Sequence, residues 1–181
     1  MTTGRLIAVV GPSGVGKDSV MCGLVQEMPR LHLVQRTITR APDLGGEDYV
    51  PVSVSRFHEL AESGAFAVHW GAHGLFYGIP QRVSDQLDQG TDCLANFSRS
   101  ALLAGAEAFP SFVVLNITAK PDTLAARLTA RGRETEAEIQ KRLARAQKAL
   151  PEDLDVVNLS NDGPLDRTIA RAVALLQPVS V

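Results

Sequence analysis

The sequence has few cysteines and no Cys/His cluster. Cys22 and Cys93 are the only two cysteines among 181 residues, and neither lies in a CxxC motif. This pattern argues against a disulfide framework and against a zinc site. We therefore expect a chain that folds without cross-links in a reducing, cytoplasmic setting.

Net positive charge and long apolar runs are also lacking. The formal net charge of −2 gives no global cationic field for DNA or RNA, so any anionic partner must be bound by a local cluster. No window approaches the roughly 18 apolar residues that cross a bilayer, and residues 1–5 show no signal-peptide profile. We expect a soluble, unprocessed protein with a small-molecule ligand and no nucleic-acid or membrane partner; its oligomeric state stays open.

Length and composition predict one domain over residues 1–181. Hydrophobic residues make up 45% of the chain and charged residues 21%, which fits a single domain of roughly 150 to 200 residues. A domain of this size buries about 70% of the surface that its unfolded chain exposes. Neither a metal nor a disulfide is needed for a stable core.

Short apolar segments alternate with segments of helical periodicity. The predicted strands are Leu6–Val10, Asp92–Phe97, Phe112–Ile117 and Val156–Leu159. The predicted helices are Lys17–Met28, Val54–Ser63, Pro80–Gln89, Ser100–Ala108, Pro121–Ala130, Glu136–Leu150 and Leu165–Leu176. Thr135 with Glu138 forms a capping-box pattern. The alternation predicts an α/β fold with a mostly parallel sheet flanked by helices.

A glycine-rich turn connects the first strand to the first helix. It consists of Gly11, Pro12, Ser13, Gly14, Val15, Gly16, Lys17, Asp18 and Ser19. The glycines allow successive N–H groups to point at phosphate oxygens, and the helix dipole adds to their charge. The segment matches the P-loop pattern GxxxxGK[ST] except at Asp18. We expect it to bind a nucleoside triphosphate, with Lys17 on the β and γ phosphates; the alternative is a glycine-rich turn without a ligand.

Asp18 stands where the P-loop pattern has a hydroxyl residue. An unpaired carboxylate would repel a triphosphate, so a cation is expected between them. Mg²⁺ prefers hard oxygen ligands. We therefore predict that Asp18 binds Mg²⁺, directly or through a water, although Asp18 could serve only as a helix-dipole partner.

Further motifs follow the P-loop. They are Thr37–Arg40, Gly46–Tyr49, Phe76–Gly78, the basic turn Arg131–Arg133, and Arg142. Their order and spacing resemble the guanylate kinase-like P-loop kinases over nearly the whole chain. The resemblance implies a P-loop kinase fold with an acceptor-binding subdomain at about 36–80 and a lid over ATP at about 131–145. It also implies catalytic roles for Lys17, Arg131 and Arg142.

The departures from guanylate kinase concern the acceptor base. Val68 and Pro80 stand where that family has a Glu and a Ser that read guanine, and neither can make the required hydrogen bonds. The groups expected on the acceptor phosphate, Arg40, Tyr49 and Tyr77, are kept. A site that has lost its base-reading groups but kept its phosphate-reading groups should take a phosphorylated acceptor without guanine.

Several variants resemble the ribose 1,5-bisphosphate phosphokinase branch of the family. They are Gly16–Ser19, Asn96–Arg99 and Asn161–Gly163. The resemblance implies that ATP phosphorylates the 1-phosphate of ribose 1,5-bisphosphate, giving 5-phosphoribosyl 1-diphosphate and ADP. The implied substrate-binding residues are Arg36, Arg40, Glu47, Tyr49, Tyr77, Ser98 and Arg99. Arg36 and Arg99 fit a second anionic group, because bidentate guanidinium suits a phosphate.

Other interpretations stay open at this point. Arg142 and Arg145 could lie on a solvated helix face, and Tyr49 and Tyr77 could be core aromatics. Asn161 could contact adenine or only form a turn. A nucleoside monophosphate kinase, a non-catalytic guanylate kinase-like binding module and a regulatory GTPase are the competing functions; the last lacks an NKxD-type motif.

Overall fold

The structure is a computed structural model that describes residues 3–42 and 46–177. Its strands are β1 (Leu6–Val10), β2 (His32–Leu33), β3 (Arg36–Ile38), β4 (Tyr49–Pro51), β5 (Phe66–Ala72), β6 (Leu75–Pro80), β7 (Cys93–Asn96), β8 (Phe112–Thr118) and β9 (Val156–Ser160). Its helices are α1 (Lys17–Glu27), α2 (Val54–Glu62), α3 (Arg82–Asp88), α4 (Leu102–Ala108), α5 (Pro121–Arg131), α6 (Glu136–Ala146) and α7 (Leu165–Leu176).

The strands form two sheets. Five strands lie in the order β2-β7-β1-β8-β9, and four lie in the order β4-β3-β6-β5. In the first sheet β2 pairs with β7, and β8 with β9, both in parallel. Every residue of β1 is buried, as expected for a strand covered on both faces of a parallel sheet. The predicted α/β fold is confirmed.

The chain divides into two compact units. One contains the described residues up to Ala8 together with Arg30–Val113, and the other contains Val9–Pro29 and the described residues from Val114 onward. The prediction of a single domain stays a prediction. Residues 1–2, 43–45 and 178–181 of the predicted domain lie outside the described residues. Of these, residues 43–45 fall in the predicted acceptor-binding subdomain.

The first unit contains the second sheet. Its hairpin β5–β6 pairs Trp70 with Tyr77 and turns at His73 and Gly74, both of which have positive φ. On one side of the sheet, Phe57 of α2 stacks on Phe66 and on Phe76, with ring centroids 4.8 and 5.6 Å away. This aromatic packing gives the sheet a core of its own.

The described residues of the second unit contain the P-loop and the helices α1, α5, α6 and α7. Helix α1 packs against α7 so closely that a Cβ on Gly23 would lie 2.1 Å from Cδ1 of Ile169. Thr135 and Glu138 form the predicted capping box at the start of α6. The backbone N–H of Thr135, and then its hydroxyl, lower the pKa of the Glu138 carboxyl.

Several predicted boundaries are wrong. The proposed helix start at Pro80 is the end of β6, where Pro80 pairs with Phe66 beside a register irregularity; prolines are tolerated in strands at bulges because they lack an N–H. Helix α6 ends at Ala146, not at Leu150, since Leu150 precedes a proline that disfavours helical backbone. Arg131 is the last residue of α5 and not part of a turn, because Gly132 ends the helix with a φ of 64°.

Candidate active site

The P-loop leaves β1 and enters α1 through two left-handed residues. Gly14 has a φ of 84° and Gly16 a φ of 91°, a conformation that glycine adopts without steric cost. Space requires glycine as well, because a Cβ on Gly16 would lie 2.9 Å from Nδ2 of Asn161. The N–H of Val15 donates to the carbonyl of Pro12 across the turn, at 3.2 Å. The predicted turn is therefore built as a strand-to-helix loop with glycine at both of its positive-φ positions; its binding of phosphate stays a prediction.

Lys17 begins α1, with Asp18 and Ser19 following it in the first turn. The Lys17 side chain is half-buried, and its ammonium donates to the carbonyl of Gly11 at 2.8 Å. The Asp18 and Ser19 side chains are exposed. The lysine is thus folded back over the glycine-rich turn, while the carboxylate of Asp18 is accessible to a cation.

Asn161 lies behind the P-loop with its side chain buried. It is 4% exposed; its Nδ2 donates to the carbonyl of Val15 at 2.7 Å, and its Oδ1 accepts from the Thr168 hydroxyl at 2.7 Å. Both ends of the amide are bonded within the protein, and the predicted contact with adenine stays a prediction. Thr168 carried no sequence signal, since the contact joins α7 to a residue that follows β9.

Arg127 of α5 also supports the P-loop. Its Nη1 donates to the carbonyl of Val15 at 3.3 Å, and its Nη2 donates to the carbonyl of Asn161 at 2.7 Å. No motif in the sequence singled out Arg127. Its position two helical turns into α5 gave no indication of this contact.

Arg142 lies at the P-loop. From α6 its Nη1 donates to the Ser13 hydroxyl at 2.5 Å, and its Nη2 pairs with Glu134 at 2.7 Å. The alternative of a purely solvated helix face is therefore wrong for Arg142. Sequence reasoning missed Glu134, whose Oε2 is buried without a hydrogen-bond partner among the described residues. Arg131 is exposed at the end of α5.

In the first unit, several of the predicted substrate-binding residues lie around an ion pair. Arg36 is 6% exposed, and its guanidinium forms a salt bridge with Glu47, with Nε 3.1 Å from Oε1. Asn96 contributes a longer hydrogen bond to the other oxygen of Glu47, at 3.4 Å. In this structure the carboxylate of Glu47 balances the charge of Arg36; the contact of Arg36 with a second anionic group of the acceptor stays a prediction.

Aromatic rings hold Arg36 in place. Its guanidinium carbon lies 4.8 Å from the ring centroid of Tyr77 and 5.9 Å from that of Trp70. Trp70 stacks on Tyr77 and on Phe97. The indole N–H of Trp70 donates to Oγ of Ser98 at 2.9 Å. Ser98 therefore positions Trp70, a role that the sequence did not indicate.

Arg40 and Tyr49 form a second pair on this unit. The Arg40 guanidinium carbon lies 4.5 Å from the ring centroid of Tyr49, whose hydroxyl donates to the carbonyl of Ala41. Nε of Arg40 is buried without a hydrogen-bond partner in the part of the chain that the structure describes. A buried, charged donor of this kind is costly unless an acceptor satisfies it. Arg99, which begins a 3-10 turn, is half-buried, and burial lowers the pKa of its guanidinium.

Val68 lies in β5 opposite Ile79 and is 5% exposed. Its side chain shares the sheet face of Trp70, two residues further along the strand. This face is apolar at the position where the resemblance to guanylate kinase expects a carboxylate.

The described residues contain neither a metal-binding cluster nor a membrane-spanning helix. No group of three or more His, Cys, Asp or Glu side chains is arranged to hold a metal ion within residues 3–42 and 46–177. No helix in that same portion is long and apolar enough to cross a membrane.

The comparisons with known proteins agree with this geometry. The guanylate kinase family model matches residues 3–177, and the chain belongs to the guanylate kinase family. Within it, the chain is 53% identical to a ribose 1,5-bisphosphate phosphokinase of Ruegeria, over 96% of this chain and 92% of the relative. It is 44% identical to the enzyme of the same name from Rhizobium etli, over 96% of this chain and 89% of the relative.

Solved structures support the fold. The guanylate kinase from Anaplasma phagocytophilum aligns with a TM-score of 0.68 at 20% identity, covering 97% of this chain and 86% of that one. A sugar kinase from Janibacter aligns with a TM-score of 0.59 at 19% identity, covering 96% of this chain and 94% of that one. The predicted family and fold are confirmed.

Proposed function

We propose that this protein transfers the γ-phosphoryl group of ATP to the 1-phosphate of ribose 1,5-bisphosphate, forming 5-phosphoribosyl 1-diphosphate and ADP. The observation that carries the proposal is buried, apolar Val68 on a face where guanine recognition would need a carboxylate. The relatives named ribose 1,5-bisphosphate phosphokinase add independent support, because they align with nearly the whole chain.

The proposed reaction needs no general base. A phosphate monoester has its second pKa near 6, so the acceptor oxygen is already anionic at neutral pH. That oxygen forms a bond to the γ-phosphorus while the bond from the γ-phosphorus to the β–γ bridging oxygen breaks. The electron pair of the broken bond leaves with ADP. Catalysis then depends on alignment and on compensating charge.

The proposed nucleotide-binding residues lie in the second unit. The P-loop amides and Lys17 bind the phosphates, and Arg142, bonded to Ser13 of the P-loop, places a guanidinium at the same loop. Arg131 supplies a further positive charge from the end of α5. Mg²⁺, when bound, neutralises phosphate charge, and exposed Asp18 offers the hard oxygen that would hold it.

The proposed acceptor residues lie in the first unit. Arg40 has a buried Nε without a partner among the described residues, and an acceptor phosphate would satisfy it with a charge-assisted hydrogen bond. Tyr49 and Tyr77 complete this phosphate site. Arg99 binds the second phosphate of the sugar. Arg36 contributes indirectly, by holding Glu47 in place.

An assay with alternative acceptors tests the proposed substrate. Purified protein with Mg-ATP is given either ribose 1,5-bisphosphate or guanosine monophosphate. ADP release measures the turnover, and phosphorus NMR identifies the product. We expect turnover of the sugar to exceed that of the nucleotide by a factor of 100 or more, since unsatisfied buried base groups cost roughly 1 to 3 kcal/mol each. Efficient formation of guanosine diphosphate would support a nucleoside monophosphate kinase, and no turnover of either acceptor would support a binding module.

Asp18→Asn tests the proposed metal site. As a metal ligand, the charged carboxylate of Asp18 should bind Mg²⁺ more tightly than a neutral amide does, so the Mg²⁺ concentration for half-maximal rate is expected to rise about tenfold or more in Asp18→Asn. Asp122→Asn is the matched control, because Asp122 occupies the first turn of α5 and is also exposed. If both variants lose only a little thermal stability and keep the wild-type Mg²⁺ dependence, Asp18 is a helix-dipole partner and nothing more.

A further inference from the structure

The carbonyl of Val15 is an unusual point in the P-loop because it accepts from two side chains. Asn161 donates to it at 2.7 Å from the residue that follows β9, and Arg127 donates at 3.3 Å from α5. Arg127 also donates to the carbonyl of Asn161 at 2.7 Å. The loop is thus tied to two other elements of its unit through a single backbone oxygen.

The Asn161 amide is fixed in one orientation. The Val15 carbonyl can only accept, so the nitrogen of the amide faces it, and the Thr168 hydroxyl donates to Oδ1 on the other side at 2.7 Å. The side chain is almost completely buried, so water does not compete for these bonds. We call Asn161, Thr168 and Arg127 the carbonyl clamp.

Holding the Val15 carbonyl determines the direction of the next N–H group. Val15 C=O and Gly16 N–H belong to one planar trans peptide unit, so they point in opposite directions. With the oxygen held by the clamp, the Gly16 N–H points away from it. Gly16 has a φ of 91°, and no side chain can occupy the space beside Asn161 there.

We infer that the carbonyl clamp is a positioning device that aims the Gly16 N–H at the phosphates of the nucleotide. The inference rests on the proposed binding of ATP by the P-loop, in which backbone N–H groups surround phosphate oxygens. Asn161 then acts on the triphosphate and not on the base. The clamp prearranges the amide before the nucleotide arrives, so its removal weakens the binding of any ligand that carries the triphosphate.

Calorimetry on Asn161→Ala at fixed Mg²⁺ distinguishes a role of Asn161 in triphosphate binding from a contact with the adenine base. The probes are ATP and inorganic triphosphate, which has no base. We expect both affinities to fall by a similar factor, about five- to twentyfold, because the Val15 carbonyl loses one of its two side-chain donors. A loss for ATP alone would overturn the inference in favour of a base contact. Unchanged affinity for both probes would also overturn it.

Two further variants guard against an effect of folding. Thr168→Val removes the hydroxyl that bonds to the Asn161 amide and keeps a side chain of similar shape. It should weaken the binding of both probes, to a smaller extent than Asn161→Ala does. Asn158→Ala is the matched control, since Asn158 is exposed on β9 and bonds to Asn116; it should leave both affinities unchanged. A loss with Asn158→Ala equal to that with Asn161→Ala would overturn the clamp.

Hydrogen exchange of the ligand-free protein gives a readout that needs no nucleotide. Asn161→Ala should speed exchange in a peptide covering residues 11–17, while Asn158→Ala should not. Equal exchange in wild type and Asn161→Ala would contradict a prearranged loop. If wild-type protein binds neither probe, the proposed ATP binding fails as well, and the exchange result alone then describes the loop.

Discussion

Lys17→Ala is expected to lower the rate of phosphoryl transfer by a factor of several hundred or more while leaving the fold intact. The ammonium lies over the glycine-rich turn, 2.8 Å from the carbonyl of Gly11, and we propose that it binds the phosphates of the nucleotide. Losing preorganised charge at the transferring group commonly costs this much in rate. Alanine is the best helix former, so the start of α1 should be preserved.

Single-turnover kinetics, circular dichroism and thermal melting together check this expectation. Lys120→Ala is the control, because Lys120 is an exposed lysine at the start of another helix, α5. The control should keep both its rate and its melting temperature. Wild-type turnover in a folded Lys17→Ala variant would remove the P-loop from the mechanism.

The parts of the fold that the sequence predicts best are those set by local pattern. Buried β1 and the amphipathic α7 have the predicted bounds, since a continuous apolar run and a 3.6-residue period need no knowledge of the rest of the chain. Two of the strands missed between residues 36 and 80, β3 and β4, lack such a local pattern. Strands β3 and β4 have only three residues each, and their stability comes from neighbours far along the chain.

The sequence predicted some parts of the candidate site and missed others for the same reasons. The glycine-rich turn could be recognised because all of its groups are contiguous and its glycines have a local steric cause. The partners of Asn161 and Arg36 could not be recognised, because a side chain's hydrogen bonds depend on which distant residue the fold brings beside it. The bonds of Asn161 to Val15 and Thr168, and of Arg36 to Glu47, are of this kind.

Glu47→Gln is expected to destabilise the protein by on the order of 3 kcal/mol, because it leaves the guanidinium of Arg36 buried without a countercharge. The side chains of this pair are only 7% and 17% exposed. Chemical denaturation measures the loss as a change in the free energy of unfolding. Glu59→Gln is the control, since Glu59 pairs with Arg56 on the surface, with side chains 65% and 58% exposed; that change should cost below about 1 kcal/mol.

The double variant Arg36→Met with Glu47→Gln identifies the cause of the loss. Replacing the guanidinium by an apolar side chain removes the unpaired charge, so the double variant should recover most of the stability that Glu47→Gln loses. Recovery would establish that Arg36 and Glu47 act as one neutral unit beneath Tyr77. If Glu47→Gln lowers the free energy of unfolding no more than Glu59→Gln does, the charge of Arg36 does not depend on Glu47 for its stabilisation. Arg36 would then be available to bind the second phosphate of the acceptor, as the sequence suggested.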